Sequence, residues 1–193
     1  MLSRVADSIY WLNRYIERAE NIARFMDVNF NLCLDAGSGQ AQWEPLISTT
    51  GDNEFFKEHY GEATEENVVR FLTCDRDYPN SILSCLSYAR ENARSIREVI
   101  SSEMWEQVNA LYWLVKDTCA TQITGDLPGF FQAVKQGSHQ FAGIMDATFS
   151  HGEGWHFGRL GRRLERADKT ARILDVKYFI LLPSVQDVGT LLD

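Results

Sequence analysis

Apolar residues near the N-terminus recur as Leu2, Val5, Ile9, Leu12, Ile16, Ala19, Ala23, Met26, Phe30 and Cys33, in alternating steps of three and four. That is the period of one face of an α-helix. A second row, Trp11, Tyr15, Ile22, Phe25 and Leu32, widens the apolar arc beyond a two-stranded stripe, so this helix must pack against at least two others. It is expected at the centre of a bundle and to end at Gly37-Ser38-Gly39, where glycine tolerates a left-handed cap. Pro45, Gly51 and Gly61 then separate short helical pieces around Trp43 to Ile47 and Glu54 to Tyr60. Thr64 with Glu65 and Glu66 reads as a cap and an acidic first turn for a short helix through Leu72.

The turn from Asp75 to Ser81 resets direction, with Asn80 or Ser81 available as cap for a helix carrying Ile82, Leu86, Ala89, Ala93, Ile96 and Ile100. Ser101-Ser102-Glu103 opens another, with Trp105, Val108, Tyr112, Val115 and Cys119 as its stripe. The break at Gly125 to Gly129 precedes a helix from Phe130 to Phe149, and His151 to Gly154 precedes a last long one. Tyr178 to Leu182 is a short apolar run ended by Pro183, a strand-like run with no partner strand, and Ser184 reads as the cap of a further helix. No segment alternates with period two. The pattern predicts an all-α, antiparallel helical bundle forming a single domain over residues 1–193.

The long helices are near-copies. Residues 9–28, IYWLNRYIERAENIARFMDV, and 157–176, FGRLGRRLERADKTARILDV, agree at nine of twenty positions when offset by 148. The shared residues are Leu12/Leu160, Arg14/Arg162, Glu17/Glu165, Arg18/Arg166, Ala19/Ala167, Ala23/Ala171, Arg24/Arg172, Asp27/Asp175 and Val28/Val176. An offset of 74 gives a fainter third copy, with Leu86, Glu91, Ala93 and Ile96 opposite Leu12, Glu17, Ala19 and Ile22. The apolar matches need only packing to explain them. The charged ones ask for a common role.

Two roles fit. One is a salt-bridge lattice within each helix: Arg14–Glu17, Glu20–Arg24 and Arg24–Asp27, repeated as Arg162–Glu165, Asp168–Arg172 and Arg172–Asp175. The other is a site at which Glu17 and Glu165 converge as catalytic carboxylates, with Arg18, Arg24, Arg166, Arg172 and Glu91 as ligand-binding groups. Two carboxylates in a partly dry site can act as acid and base or hold a divalent cation such as Mg²⁺, and arginines can grip a carboxylate or phosphate bidentately. The Glu-x-x-His pairs of a di-iron bundle are missing from both helices. His151, Glu153 and His156 read as a flexible turn rather than a preset metal site, and Asp75 and Asp77 either as turn and cap residues or as loop ligands to Mg²⁺.

The duplicated Glu-Arg-Ala helices, the stretch Phe71-Leu72, Asp75, Pro79-Asn80-Ser81-Ile82 and the run Ala89-Arg90-Glu91-Asn92-Ala93-Arg94 resemble the bacterial alpha-E domain proteins. The resemblance covers the whole chain. It implies an all-helical domain without an established activity, associated with circularly permuted ATP-grasp ligases and transglutaminase-like proteins. On that resemblance the chain is a component of a peptide or amide-bond synthesis or modification system with a Glu/Arg-lined site. The alternative is a non-catalytic helical scaffold. Relatives run about half as long again, so the chain resembles an N-terminal portion of the family's domain, truncated at its C-terminus.

Composition narrows the partners. With 27 acidic against 19 basic residues, the net charge of −8 argues against nucleic acid, whose recognition needs a basic footprint. No apolar run reaches the length of a membrane span and the N-terminus lacks the form of a signal peptide. A cytoplasmic location is expected, with Cys33, Cys74, Cys85 and Cys119 as free thiols. The expected partners are an ATP-grasp ligase or transglutaminase-like protein, an anionic peptide or other anionic small ligand, and, at an apolar patch near Phe179 to Leu192, a second copy of the chain or a missing partner segment.

Overall fold

A computed structural model describes the backbone of residues 1–35, 43–121 and 125–181, and the side chains of 1–31, 43–121 and 125–174. The glycine terminator at 37–39, the helix after Ser184, the Asp175 pairing, the thiol of Cys33 and the apolar patch beyond Phe179 lie outside these residues. All regular structure among them is helical: α1 (Ser3–Asp35), α2 (Glu44–Thr50), α3 (Asn53–Tyr60), α4 (Glu65–Thr73), α5 (Ile82–Ser95), α6 (Ser102–Ala120), α7 (Leu127–Thr148) and α8 (Glu153–Leu181). The run from Tyr178 to Leu181, strand-like in sequence, continues α8.

Capping residues set several of these boundaries. The Thr64, Ser81 and Ser101 side chains accept the backbone N–H of Asn67, Ser84 and Met104, so each satisfies a donor that the first helical turn leaves orphaned. Asp126 does the same for Gly129, which starts α7 at Leu127 with Pro128 in its first turn, three residues earlier than the apolar pattern indicates. α5 stops at Ser95, and Ile96 to Ile100 form a turn that still buries both isoleucines.

The seam of α1 forms the middle of the core. Ile9, Leu12, Ile16, Ala19, Ala23 and Met26 are all buried, and α1 packs extensively against α5, α7 and α8. The Ser95 hydroxyl donates to Ser8 and the Tyr88 ring lies 5.3 Å from Tyr15, so α5 runs against α1. Ser138 and Lys135 of α7 meet Glu20 and Asp27 in the reverse order as well. α6 closes the ring: Arg90 donates to Asn109, and Gln107 to the Gly137 carbonyl. α1, α5, α6 and α7 therefore make an antiparallel four-helix ring. A fifth helix in the up-down sequence must return in the direction of the first, and α8 accordingly lies parallel to α1. Among the described residues α1 is central and α8 lies at the edge.

The connecting lobe, α2 to α4, is held by aromatics. Phe71 stacks on Tyr78 at 4.0 Å and meets Phe55, Phe56 and Tyr60 within 6.0 Å. The Tyr78 hydroxyl donates to Asp52 at 2.6 Å and that of Tyr60 to Asp75 at 2.9 Å, which removes the cost of burying them.

Cys74 and Cys119 are joined in a disulfide, contrary to the free-thiol expectation. Local spacing hides the pairing, because the two residues are 45 positions apart and meet only when the end of α4 reaches the end of α6, at a Cα–Cα distance of 5.5 Å. Cys85 is free and buried, and burial pushes its thiol up to about 12. No helix among the described residues is long and apolar enough to cross a membrane.

Candidate functional site

α8 approaches α1 closely because glycines face it. A Cβ on Gly161 would overlap the Tyr10 carbonyl oxygen, and one on Gly158 would overlap Met145 and Asn13. With Gly154 packed against Phe149 and Ile9, these residues form a row at i, i+4 and i+7 along one side of α8. Sequence reading passed over this signal, since the counterparts Ala6, Tyr10 and Asn13 in α1 are not glycine. Gly161→Ala is expected to cost about 2–3 kcal/mol through overpacking, because the obstacle is backbone rather than a pliable side chain. Gly143→Ala, on the open side of α7 with nothing within 4 Å, is expected to gain about 0.5–1 kcal/mol. Urea unfolding of both variants checks the pair, and equal effects would remove the close-approach account.

This spacing lets charged side chains reach from each helix to the other. Glu165 is fully buried and Glu17 is 1% exposed. Glu165 accepts Arg18 Nε on Oε1 at 2.7 Å, and Arg18 Nη2 and Arg14 Nε on Oε2, both at 2.9 Å. Glu17 accepts Arg166 Nε on Oε1 at 2.6 Å, Arg166 Nη2 on Oε2 at 3.1 Å and Arg162 Nε on Oε2 at 2.9 Å. The two sets correspond atom for atom when 148 is added or subtracted. The Glu of each Glu-Arg pair takes the Arg of the other helix's pair, side-on and bidentate, and a second arginine one turn earlier completes it.

The expected intrahelical pairs Arg14–Glu17 and Arg162–Glu165 are thus replaced by pairs across the interface. Buried carboxylates have lost water and require saturation, which two guanidinium groups supply and one local arginine does not. Burial alone would raise Glu165, but hydrogen bonds and charge from Arg18 and Arg14 outweigh it and hold the carboxyl below its ordinary range. Burial likewise works against the Arg18 cation, and Glu165 overcomes it, so Arg18 titrates above an ordinary arginine.

Glu20–Arg24 and Asp168–Arg172 form as expected, at 2.6 and 3.2 Å. Arg24 does not reach Asp27, which takes Lys135 of α7 at 2.6 Å instead. Arg172 also donates to the Thr50 carbonyl of α2. Arg24 and Arg172 therefore attend neither Glu17 nor Glu165. Glu91 is half exposed on α5, paired with Arg94 and Arg90, and has no contact with either clamp. The faint third copy does not place its glutamate as the other two do.

Glu20, which the sequence pairs with Arg24 alone, is buried and also accepts Ser138 at 2.8 Å and His139 at 3.0 Å. Burial pushes its carboxyl up, and these partners more than reverse that. Only the fold brings Glu20 and His139 together across 119 positions, so no local motif announces them.

Mg²⁺ does not fit Glu17 or Glu165, because every carboxylate oxygen already faces a guanidinium and an approaching cation would be repelled. Among the described residues no three His, Cys, Asp or Glu side chains gather to hold a metal. Asp75 is spent on its turn, accepting the Asp77 and Tyr78 N–H groups. Glu153 binds the N-terminal ammonium at 2.7 Å, while His151 stacks on Trp155.

The dipeptide Glu-Arg occurs twice in the sequence, at these two clamps. A family model described as Alpha-E, "a predicted alpha-helical domain with a conserved ER motif", matches residues 1–193. Similar curated proteins include Uncharacterized protein Mb2597 of Mycobacterium bovis and Uncharacterized proteins MT2643 and Rv2567 of Mycobacterium tuberculosis. Each is 23% identical over 185 residues, covering 84% of this chain and 21% of the relative, so the chain spans about a fifth of their length. No solved structure matches. The chain belongs to the Alpha-E family, and its two ER pairs are the residues that lock α1 to α8.

Proposed function

We propose that this Alpha-E domain is a non-catalytic helical interaction module and that its Glu/Arg residues lock its two long helices together. The observation that carries this reading is the saturation of Glu17 and Glu165. A general base or a metal ligand needs a free lone pair facing a substrate, and here arginines occupy both carboxylates in a buried interface. The family's association with ATP-grasp ligases and transglutaminase-like proteins, taken from the sequence resemblance, supplies the setting: the domain serves a cytoplasmic amide-bond-forming or modifying system by holding one of its components.

Thermal melts of the protein with Mg²⁺, Mn²⁺, ATP and a panel of short peptides test the reading. The expected result is no shift with the metals or ATP. A rise in melting temperature with any of them that disappears in Glu17→Gln, while the unliganded variant melts like the wild type, would make the glutamates a ligand site and overturn it.

A further inference from the structure

The Glu165 clamp has a neighbour that the Glu17 clamp lacks. Arg18 gives Nε and Nη2 to Glu165 and its remaining Nη1 to Asn80 Oδ1 at 2.7 Å. Arg166 meets Glu17 through the same two atoms, with no third acceptor among the described residues. Asn80 lies in the turn between α4 and α5. The lobe therefore completes one of two otherwise equivalent clamps.

That turn is built on Asp75. Its carboxylate accepts the Asp77 N–H at 2.8 Å, the Tyr78 N–H at 3.3 Å and the Tyr60 hydroxyl at 2.9 Å. Its carbonyl accepts Ser81 Oγ at 2.5 Å and Ser84 Oγ at 3.2 Å. The residue before it is Cys74, which caps α4 and is tied to Cys119 by the bridge. A continuous path thus runs from the bridge through the Asp75 turn and Asn80 to Arg18 and Glu165, the kind of packed, hydrogen-bonded chain through which two places can be coupled.

The bridge is also placed to open and close. Both cysteines are half-buried rather than enclosed, so a dithiol can reach the bond. Two electrons and two protons pass to the bridge, its S–S bond breaks into two thiols, and the dithiol leaves as a disulfide. The reduced Cys119 thiol has the Thr73 carbonyl 4.0 Å away as an acceptor. Thr73 ends α4, and its own hydroxyl is fully buried without a hydrogen-bond partner among the described residues. An unmet buried hydroxyl costs free energy, which the last turn of α4 bears while it is tied in place. In a reducing compartment, such as the expected cytoplasm, a bridge of this kind is ordinarily transient or redox-sensing.

We propose that the Cys74–Cys119 bridge is a redox strap on the Glu165 clamp. Oxidised, it holds the turn from Asp75 to Ser81 against Arg18. Reduced, it lets the end of α4 relax, Asn80 withdraws from Arg18, and the Glu165 clamp loosens while the Glu17 clamp stays shut. The inference rests on the reading of the Glu/Arg pairs as a lock and adds what regulates one half of it.

Nuclear magnetic resonance of the full chain reads each clamp separately, through exchange of its guanidinium Nε–H protons with water. On adding dithiothreitol, the Arg18 Nε–H is expected to exchange about tenfold faster, the scale of a local coupling, with the Arg166 Nε–H unchanged within about twofold. Cys119→Ser should show the fast Arg18 proton without reductant and should not respond to it. Asn80→Ala should show it with the bridge intact, because the link from turn to clamp is then cut.

An Arg18 proton indifferent to reductant overturns the strap. So does equal acceleration at Arg18 and Arg166, or global unfolding of the reduced chain by circular dichroism, either of which would make the bridge a general staple. Free Cys74 and Cys119 in protein purified without reductant would leave no strap to open, and the proposal would fall. Each of these results leaves the lock standing, whereas a metal or ATP shift in the melts would overturn that reading itself.

Discussion

Glu165→Gln is expected to lower the unfolding free energy by about 3–5 kcal/mol, the usual cost of removing one partner from a buried ion pair. The substitution barely changes shape. It does remove the charge that Arg14 and Arg18 were desolvated to meet, leaving two guanidinium groups facing a neutral amide in a dry interface. For a chain of this size that corresponds to a fall in melting temperature of roughly 6–20 °C. Glu17→Gln should cost less, because Arg166 meets Glu17 through the same atoms but is 54% exposed where Arg18 is 15%, so water takes up part of what the carboxylate gave. Glu91→Gln, on a half-exposed glutamate, should stay within about 0.5 kcal/mol.

The effect carries a pH signature. The folded carboxyl of Glu165 titrates below its unfolded value. Its contribution is therefore complete above the unfolded pKa, about 4.3, and is lost as pH falls through the lower folded value. The difference in stability between wild type and Glu165→Gln should be full at pH 7 and shrink below about pH 4. A difference that is under about 1 kcal/mol at pH 7, or that does not change in acid, would return these residues to a solvated surface lattice.

Why the clamp was only half legible in sequence follows from what periodicity encodes. The α1 seam follows directly from three-four spacing, and every seam residue from Ile9 to Met26 is buried. The repeat also marked Arg14, Glu17 and Arg18 as sharing a role with Arg162, Glu165 and Arg166. A one-dimensional pattern, however, favours neighbours three and four apart, and so it assigned each arginine to its own helix. Choosing the partner helix requires the distance between helices. Gly158 and Gly161 set that distance, and the parallel direction of α8 brings equal positions level. The same apolar spacing in α8 gave no warning of exposure, because periodicity records a face suited to burial and not whether anything covers it. Glu20 with His139, and Asp27 with Lys135, depend on α7 lying antiparallel to α1, and no residue pattern within either helix carries that information.

Breaking the Cys74–Cys119 bridge is expected to cost a comparable amount. Closing a loop between residues 45 positions apart removes about 4 kcal/mol of chain entropy from the unfolded state in the loop-closure model. The bridge also stands where the lobe joins the ring, tying the end of α4 to the last turn of α6. Cys119→Ser should therefore unfold at lower urea than the oxidised wild type, and reductant should bring the wild type to the level of the variant without moving the variant. Cys85 should not intrude by exchange, because a thiol that is buried and titrates at about 12 supplies almost no thiolate near neutral pH. Non-reducing peptide mapping should return Cys74 and Cys119 as one linked fragment. Wild type and Cys119→Ser with the same urea midpoint under oxidising conditions would show that the bridge contributes nothing. The bridge also bears on the expected cytoplasmic location, where thiols are ordinarily kept reduced. Alkylation in intact cells before lysis separates the alternatives. Labelled Cys74 and Cys119 would mean that the domain works in its less stable, reduced form. Protected cysteines would mean that the oxidised, more rigid form is the one the cell holds.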